Sequence, residues 1–161
     1  MPNDGLDATD RQILALLQGD ARLTNVELAD RVNLSPSPCL RRVRRLEASG
    51  IIRGYHAELD RRSVGLELTV FVGIKVERHH EEQANAFRDA IVQLPEVVTA
   101  HLVSGESDFL LQVVVPSLAA YEAFLTGTLL RLPGVSDIRS NFAIQPVKEY
   151  GTLPLDRGNK A

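Results

Sequence analysis

The chain has 161 residues, of which 44% are hydrophobic and 24% charged, and this balance is typical of a globular protein rather than a disordered or collagenous one. Two compact domains of roughly 60 and 90 residues would account for the length. The formal net charge of -3 argues against a uniformly basic chain, and the single cysteine excludes an internal disulfide framework.

Nothing in the sequence indicates a membrane or secreted protein. No apolar run reaches the roughly 18 to 20 residues of a membrane span, and the acidic start lacks the basic and apolar regions of a signal peptide. We therefore expect a cytoplasmic protein with no membrane partner.

Charge is unevenly distributed along the chain. Residues 1–62 contain ten arginines and nine acidic residues, for a charge of +1, whereas the remainder carries -4. Between Ser35 and Arg53 there are five arginines and one acid, Glu47. Because screening at cellular salt limits each charge to about 8 to 10 Å, a local basic surface can bind phosphates on an acidic molecule.

The first segment predicts three helices. The first has an N-cap at Asp7 or Thr9 and ends at Gly19. The second follows Thr24, with Glu27 at the capping-box position, and ends near residue 32. The third runs over residues 36–49, since a serine and a proline mark its start and a glycine at position 50 suits the C′ position.

The third predicted helix has two distinct faces. Its inner face is apolar and its outer face is basic; the inner face carries Cys39, Val43 and Leu46, and the outer face carries Ser37, Arg41, Arg44 and Ala48. Two helices joined by a tight turn, the second basic outside, are typical of a helix-turn-helix. Residues 51–57 then predict a short strand or hairpin, a wing.

The arginine cluster has two interpretations. It is either a solvated helix face with tertiary salt bridges or a phosphate- and base-contacting surface. Since Glu47 is the only acid within the cluster, the excess charge is expected to be uncompensated. Arginine binds phosphate and the guanine edge in a bidentate manner, which favours nucleic-acid contact.

The second segment predicts the order strand, helix, strand, strand, helix, strand, over residues 68–76, 81–94, 97–103, 109–115, 117–132 and 135–144. Leu94-Pro95 recurs as Leu132-Pro133 at the same point of each half. A duplicated βαβ unit predicts a ferredoxin-like βαββαβ sheet with both helices on one face. Apolar residues such as Phe71, Leu110 and Val114 on the other face indicate a second subunit.

The predicted fold class is α+β, with a winged helix-turn-helix joined to a ferredoxin-like domain. The predicted boundaries are a first domain at 1–58, a linker at 59–67, a second domain at 68–155 and a tail at 156–161.

Catalytic and metal-binding signatures are weak. His79 and His80 are adjacent and cannot share a helix face, and Cys39 lies on the inner stripe, where a packing thiol is expected. The turn from Ser104 to Asp108 is neither a nucleophile elbow nor a P-loop. We predict no enzyme activity, no cofactor and no metal site.

The same turn has two further interpretations. Its backbone N–H groups and the Asp108 carboxylate suit the carboxylate and ammonium of a small zwitterion. Alternatively, it is a tight turn with Gly105 at positive φ and Asp108 bonded to its own backbone. The residues alone leave both open.

In combination these stretches resemble the Lrp/AsnC (leucine-responsive regulatory protein and AsnC) family of transcriptional regulators. The match extends over about Leu6 to Leu155 and rests on five stretches: residues 6–22, 25–32, 34–47, 50–55 and 102–111. The resemblance implies a DNA-binding homodimer that assembles further, commonly to octamers, and responds to a small-molecule amino acid effector bound between subunits.

Two sets of site residues follow from these interpretations. The predicted DNA-binding residues are Asn25, Ser35, Ser37, Pro38, Arg41, Arg42, Arg44, Arg45 and Arg53, with Ser37, Arg41 and Arg44 near base edges and Arg42, Arg45 and Arg53 on phosphates. The effector-binding residues that the resemblance implies are Leu102, Ser104, Gly105, Ser107, Asp108, Asn141 and Phe142.

Two alternatives remain beside the regulator. An architectural DNA-binding protein without an effector would need Asp108 to be purely structural. Siroheme decarboxylases resemble the same architecture, but His101 alone is poor evidence for tetrapyrrole chemistry.

Overall fold

The computed structural model describes residues 5–77, 81–149 and 151–155, with the first three residues of the fourth helix described by backbone alone. The chain divides into two units, of which the second is Glu58–Val147 and the first combines the chain up to Ala57 with the segment from Lys148 onward. His79, His80 and the predicted tail lie outside the described residues.

The first unit contains three helices, α1 (Ala8–Gly19), α2 (Asn25–Arg31) and α3 (Pro36–Ala48). The Asp7 carboxylate accepts the backbone N–H of Asp10 and caps α1, while Thr24 and Glu27 form the predicted capping box of α2. Ser35 precedes α3 with N-cap backbone geometry but makes no side-chain cap bond. The three predicted helices are confirmed.

Both helices of the helix-turn-helix end in the same hydrogen-bond motif. At the end of α3, Gly50 has φ +73°, the Ile51 N–H donates to the Leu46 carbonyl and the Gly50 N–H donates to the Glu47 carbonyl. Asn33 occupies the equivalent position after α2 with φ +54°. This is the Schellman motif, in which glycine or asparagine tolerates the left-handed conformation.

The chain after α3 does not form the predicted strand or hairpin. Residues 51–57 have no β pairing with any described residue. The Ile51 and Ile52 N–H groups both donate to the Leu46 carbonyl, and the Tyr55 hydroxyl donates to Glu47 at 2.9 Å. The prediction of a strand was wrong here because an extended segment needs a partner strand, and this segment bonds to α3 instead.

A C-terminal segment, residues 148–155, belongs to the first unit, although the sequence analysis assigned it to the second domain. The Gln18 side chain accepts the Leu153 N–H at 2.6 Å and donates to the Leu153 carbonyl at 3.3 Å. Leu155 packs against the apolar cluster of the three helices and accepts a bond from Arg11. The segment therefore covers part of α1.

Leu155→Ala is expected to lower the free energy of unfolding of the first unit by about 1 kcal/mol, because a partly buried leucine loses apolar contact. The measurement is urea unfolding combined with amide hydrogen exchange in α1. Leu153→Ala is the matched control, since the Leu153 side chain is exposed and its bonds to Gln18 use backbone atoms. Equal effects of both changes would contradict this role for Leu155.

The second unit is a four-stranded antiparallel sheet with the strand order β2-β3-β1-β4. Its elements in chain order are β1 (Leu68–Val76), α4 (Glu81–Ile91), β2 (Val97–Leu102), β3 (Phe109–Val115), α5 (Leu118–Gly127), a 3-10 turn (Leu129–Arg131) and β4 (Val135–Phe142). This is the predicted ferredoxin-like order. No helix within the described ranges is long and apolar enough to cross a membrane.

The two faces of this sheet differ in burial. Val70, Val72 and Ile74 of β1 are fully buried with residues of α4 and α5, so both helices cover one face as predicted. On the other face Phe71 is 40% exposed and Leu110 is 38% exposed. This open face is the surface that the sequence analysis assigned to a second subunit.

Candidate nucleic-acid interface and effector site

The outer face of α3 presents exposed arginines without ionic partners. Ser37, Arg41 and Arg44 are exposed, as is Arg53 beyond the end of the helix. None of these three guanidinium groups forms an ion pair within the described ranges. Unpaired positive charge is therefore concentrated on the side of α3 that faces away from the Cys39 and Leu46 core.

The flank of α3 has a different arrangement. Arg42 donates to the Asp7 carboxylate at 2.6 Å and to the Asp10 carboxylate at 2.9 Å. Arg45 also forms an ion pair with Asp10, which is fully buried. The expectation that only Glu47 was available to the cluster was wrong, because the start of α1 supplies two carboxylates from 32 to 35 residues earlier in the chain.

The carboxyl group of Asp7 has a pKa below its usual range, because the Asp10 backbone N–H and the Arg42 guanidinium stabilise its charged form. The pKa of Asp7 is therefore lower in the folded chain than in the unfolded chain. The resulting stabilisation is present above the unfolded-chain value and is lost as the pH falls through the folded value.

Asp7→Asn is accordingly expected to lower the melting temperature at neutral pH, with the difference from the parent shrinking once the pH falls below the ordinary aspartate value of about 3.9. Thermal melts across this range measure the effect. Asp30→Asn is the matched control, because Asp30 is exposed on α2 and has no ion pair among the described residues. A constant difference at all pH values would contradict the assignment.

Three predicted DNA-binding residues lie at the helix starts. The Asn25 side-chain N–H donates to the Pro36 carbonyl at 2.8 Å, which joins the start of α2 to the start of α3. Ser35 is exposed and Pro38 half-buried at the first turn of α3. Asn25 thus has an intramolecular contact that the sequence analysis did not foresee.

The turn from Ser104 to Asp108 is anchored to both β1 and β4. The Asp108 carboxylate accepts the Val76 N–H at 3.1 Å, and the Asp108 N–H donates to the Ile74 carbonyl at 2.9 Å. Glu106 forms an ion pair with Arg139 of β4. Gly105 has φ +124°, as the alternative interpretation of a tight turn predicted. These bonds tie the turn to β1 and β4 at the end of the strands, with Ser104 and Gly105 exposed.

Gly73 of β1 lies directly beneath this turn. A Cβ atom at Gly73 would come within 2.5 Å of the Ser107 Oγ, so the Ser107 hydroxyl would have to rotate away. Gly73→Ala is therefore expected to move the Ser107 hydroxyl and to weaken binding of a ligand that this hydroxyl contacts by about a few-fold, as Ser107→Ala alone should also do. Calorimetric titration measures both variants, and unchanged binding in both would contradict a ligand contact to Ser107.

Asn141 and Phe142 do not converge on the turn within one chain, whereas Leu102 adjoins the turn. Asn141 pairs with Phe71 on the open face. Phe71 lies three residues along β1 from Ile74, whose carbonyl binds the turn, which is about 10 Å at roughly 3.3 Å per residue. Phe142 lies on the helix-covered face, with its ring edge-on to Tyr121 at 5.5 Å. Leu102 is exposed at the end of β2. A site using all of them would need a second copy of the chain.

Cys39 is fully buried in the first unit, and burial raises the pKa of its thiol, in agreement with the predicted packing role. His101 lies opposite Leu110 on the open face. No group of three or more potential metal ligands occurs in the part of the chain that the structure describes.

Family models match both units. The model for the Lrp/AsnC ligand binding domain matches residues 69–153, which is more than half of the chain. The chain belongs to the Lrp/AsnC family of transcriptional regulators. A winged helix-turn-helix DNA-binding model matches residues 6–53 of this Lrp/AsnC regulator.

Curated relatives of this Lrp/AsnC regulator have a common name. The leucine-responsive regulatory proteins of Klebsiella pneumoniae and Escherichia coli are each 47% identical to it over 154 residues, which is 96% of this chain and 94% of theirs. These relatives are named as regulators rather than as enzymes.

Solved structures of family members superpose closely. A transcriptional regulator from Neisseria meningitidis, solved as a complex with L-methionine, has a TM-score of 0.90 and 42% identity and covers 94% of this chain and 97% of its own. An AsnC family regulator from Agrobacterium tumefaciens has a TM-score of 0.88 and 40% identity and covers 94% and 98%. The chain is therefore a transcriptional regulator with a winged helix-turn-helix DNA-binding unit and a ligand-binding unit.

Proposed function

We propose that this regulator binds double-stranded DNA through the outer face of α3 and that an apolar amino acid, bound at the turn from Ser104 to Asp108 between subunits, modulates DNA binding or assembly. The observation that carries the DNA part is the exposed, unpaired state of Arg41 and Arg44 beside two arginines that are already paired. A helix with this face fits the major groove.

The side chains divide into two roles. Ser37, Arg41 and Arg44 lie on one face of α3 and are proposed to meet base edges, with Ser35 and Pro38 at the approaching helix start. Arg53 is proposed to bind a phosphate. Asn25 is proposed to act through its bond to Pro36, since it orients the helix start that approaches the groove.

The effector proposal rests on the exposed backbone of the turn and the Asp108 carboxylate. Backbone N–H groups suit the effector carboxylate and Asp108 suits its ammonium. The Neisseria meningitidis relative in complex with L-methionine and the leucine-responsive relatives make methionine and leucine the first candidates. Residues 141 and 142 are proposed to contribute from a neighbouring subunit.

Assembly is proposed to be at least a homodimer formed through the open sheet face, with further association to octamers. Exposed Phe71 and Leu110 on that face are costly to leave in water. Analytical ultracentrifugation with and without the amino acid tests this, and a monomer under all conditions would contradict it.

The decisive experiment combines calorimetry with DNA binding. All twenty amino acids are titrated into the full chain, and the binding ones are added to fluorescence anisotropy measurements on a DNA fragment selected in vitro by this protein. Heat from one or a few apolar amino acids, with a shift in DNA affinity, is expected. No heat from any amino acid would contradict the effector role.

The second candidate function is an architectural DNA-binding protein without an effector. The observation favouring it is that the Asp108 carboxylate already accepts the Val76 N–H and so has a structural role. A flat calorimetric screen together with sequence-independent DNA binding would support this second function.

A further inference from the structure

The start of α1 holds the flank of α3 through a buried carboxylate, and the DNA-binding function proposed above does not use this contact. Asp10 is fully buried, and each of its oxygens has a donor. One oxygen accepts Arg42 at 2.9 Å, and the other accepts Arg45 and the Asp7 N–H. A buried acid with this many charge-assisted bonds is strongly held in place.

The arginines of α3 thus form two pairs at the same spacing. Arg42 and Arg45 are three residues apart on the flank that faces α1, and Arg41 and Arg44 are three residues apart on the outer face. A helix that is bound at two points about one turn apart is restrained from rotating about its own axis, whereas a helix bound at one point can still turn about that point. The Asp10 contacts therefore act together with the buried Cys39 and Leu46 to set the direction of the outer pair.

The same contacts also remove charge from the surface. Asp7 and Asp10 together carry -2, which balances the +2 of Arg42 and Arg45. Non-specific DNA binding depends on the number of phosphates that a protein neutralises, since each contact adds about 0.9 to the slope of log affinity against log salt. Specificity depends on the ratio of specific to non-specific affinity.

We infer that Asp10 is a positioning and specificity-determining residue for DNA binding: it fixes the rotation of α3 so that Arg41 and Arg44 face the duplex, and it withholds Arg42 and Arg45 from phosphates. This inference rests on the proposed function of the outer face. It replaces the phosphate role that the sequence analysis predicted for Arg42 and Arg45.

The first test compares Asp10→Asn with Asp30→Asn, which makes the same change in net charge at an exposed site of α2. Asp10→Asn is expected to lower the ratio of selected to random DNA affinity by about tenfold or more, and to steepen the salt slope on random DNA by about 1 to 2. Asp30→Asn should change neither the ratio nor the slope to this extent. Equal ratios and slopes in the two variants would overturn the inference.

The second test begins with variants that keep Asp10, so it stays informative if Asp10→Asn fails to fold. Arg53→Gln is expected to reduce the salt slope by about 1, because Arg53 is proposed to bind a phosphate, and Arg45→Gln is expected to leave the slope unchanged. In a folded Asp10→Asn chain, Arg45→Gln should then reduce the slope, because its guanidinium has been released. Circular dichroism and thermal melts monitor folding of every variant.

The outcomes separate the two proposals. If Arg45→Gln flattens the salt slope as much as Arg53→Gln in the otherwise native chain, Arg45 binds phosphate and the inference about Asp10 is wrong, while the outer-face proposal stands. If neither Arg41→Gln nor Arg44→Gln changes DNA binding, the proposed DNA-binding face is wrong, whatever Asp10 does.

Discussion

Replacing Arg41 and Arg44 together by glutamine is expected to weaken binding to the selected DNA fragment by about a hundredfold or more. Each guanidinium that meets a base edge contributes roughly 1 to 3 kcal/mol, and neither has an ionic partner to lose within the described residues. Fluorescence anisotropy at several salt concentrations measures the loss of affinity and of sequence preference.

The control for this double change removes two positive charges elsewhere. Arg62→Gln with Arg131→Gln does so at exposed positions of the second unit. Because neither arginine belongs to the proposed DNA-binding face of α3, this pair should change DNA affinity far less. A loss of the same size in the control would mean that net charge, rather than the outer face of α3, determines binding.

Asp108→Asn is expected to reduce affinity for the amino acid effector by about tenfold or more while leaving the fold intact. Asparagine keeps an oxygen that can accept the Val76 N–H, so the contact to β1 survives, but the negative charge for an ammonium group is lost. Calorimetric titration gives the affinity, and anisotropy shows whether DNA binding without effector is unchanged.

A matched change is available on α4. Asp89→Asn removes the same charge from an exposed residue that has no ion pair in the described ranges. It should bind the amino acid normally. If Asp108→Asn also binds the amino acid normally, the Asp108 carboxylate has only a structural role, and the turn is interpreted as a tight turn.

Local signals predicted the secondary structure closely. The strands at residues 68–76 and 109–115 have the predicted bounds, and the caps at Asp7 and Thr24 start the helices as expected. Gly50 terminates α3 because only a few residues on either side determine that geometry. The predicted helix over residues 117–132 is instead α5 followed by a 3-10 turn, with Thr128 between them.

The candidate sites were harder to predict from the sequence than the secondary structure was. The outer face of α3 follows from helical periodicity, so Arg41 and Arg44 were placed on it correctly. The ion pairs of Arg42 and Arg45 were missed, although acidic residues at the start of a neighbouring helix were a usable signal. For the effector site, the pairing of β4 with β1 places Asn141 opposite Phe71 and away from the turn. No local sequence pattern indicates this register.

By itself the sequence determined the α+β class, the helix starts and the strand order, because capping, periodicity and turn chemistry act over a few residues, and its motifs indicated the family. Only the tertiary structure decided which arginines remain unpaired and that the C-terminal segment covers α1. Those contacts join groups 32 to 144 residues apart in the chain. Their partners are chosen by the packing of α1 against α3 and by the burial of Asp10 and Leu155, which no local window contains.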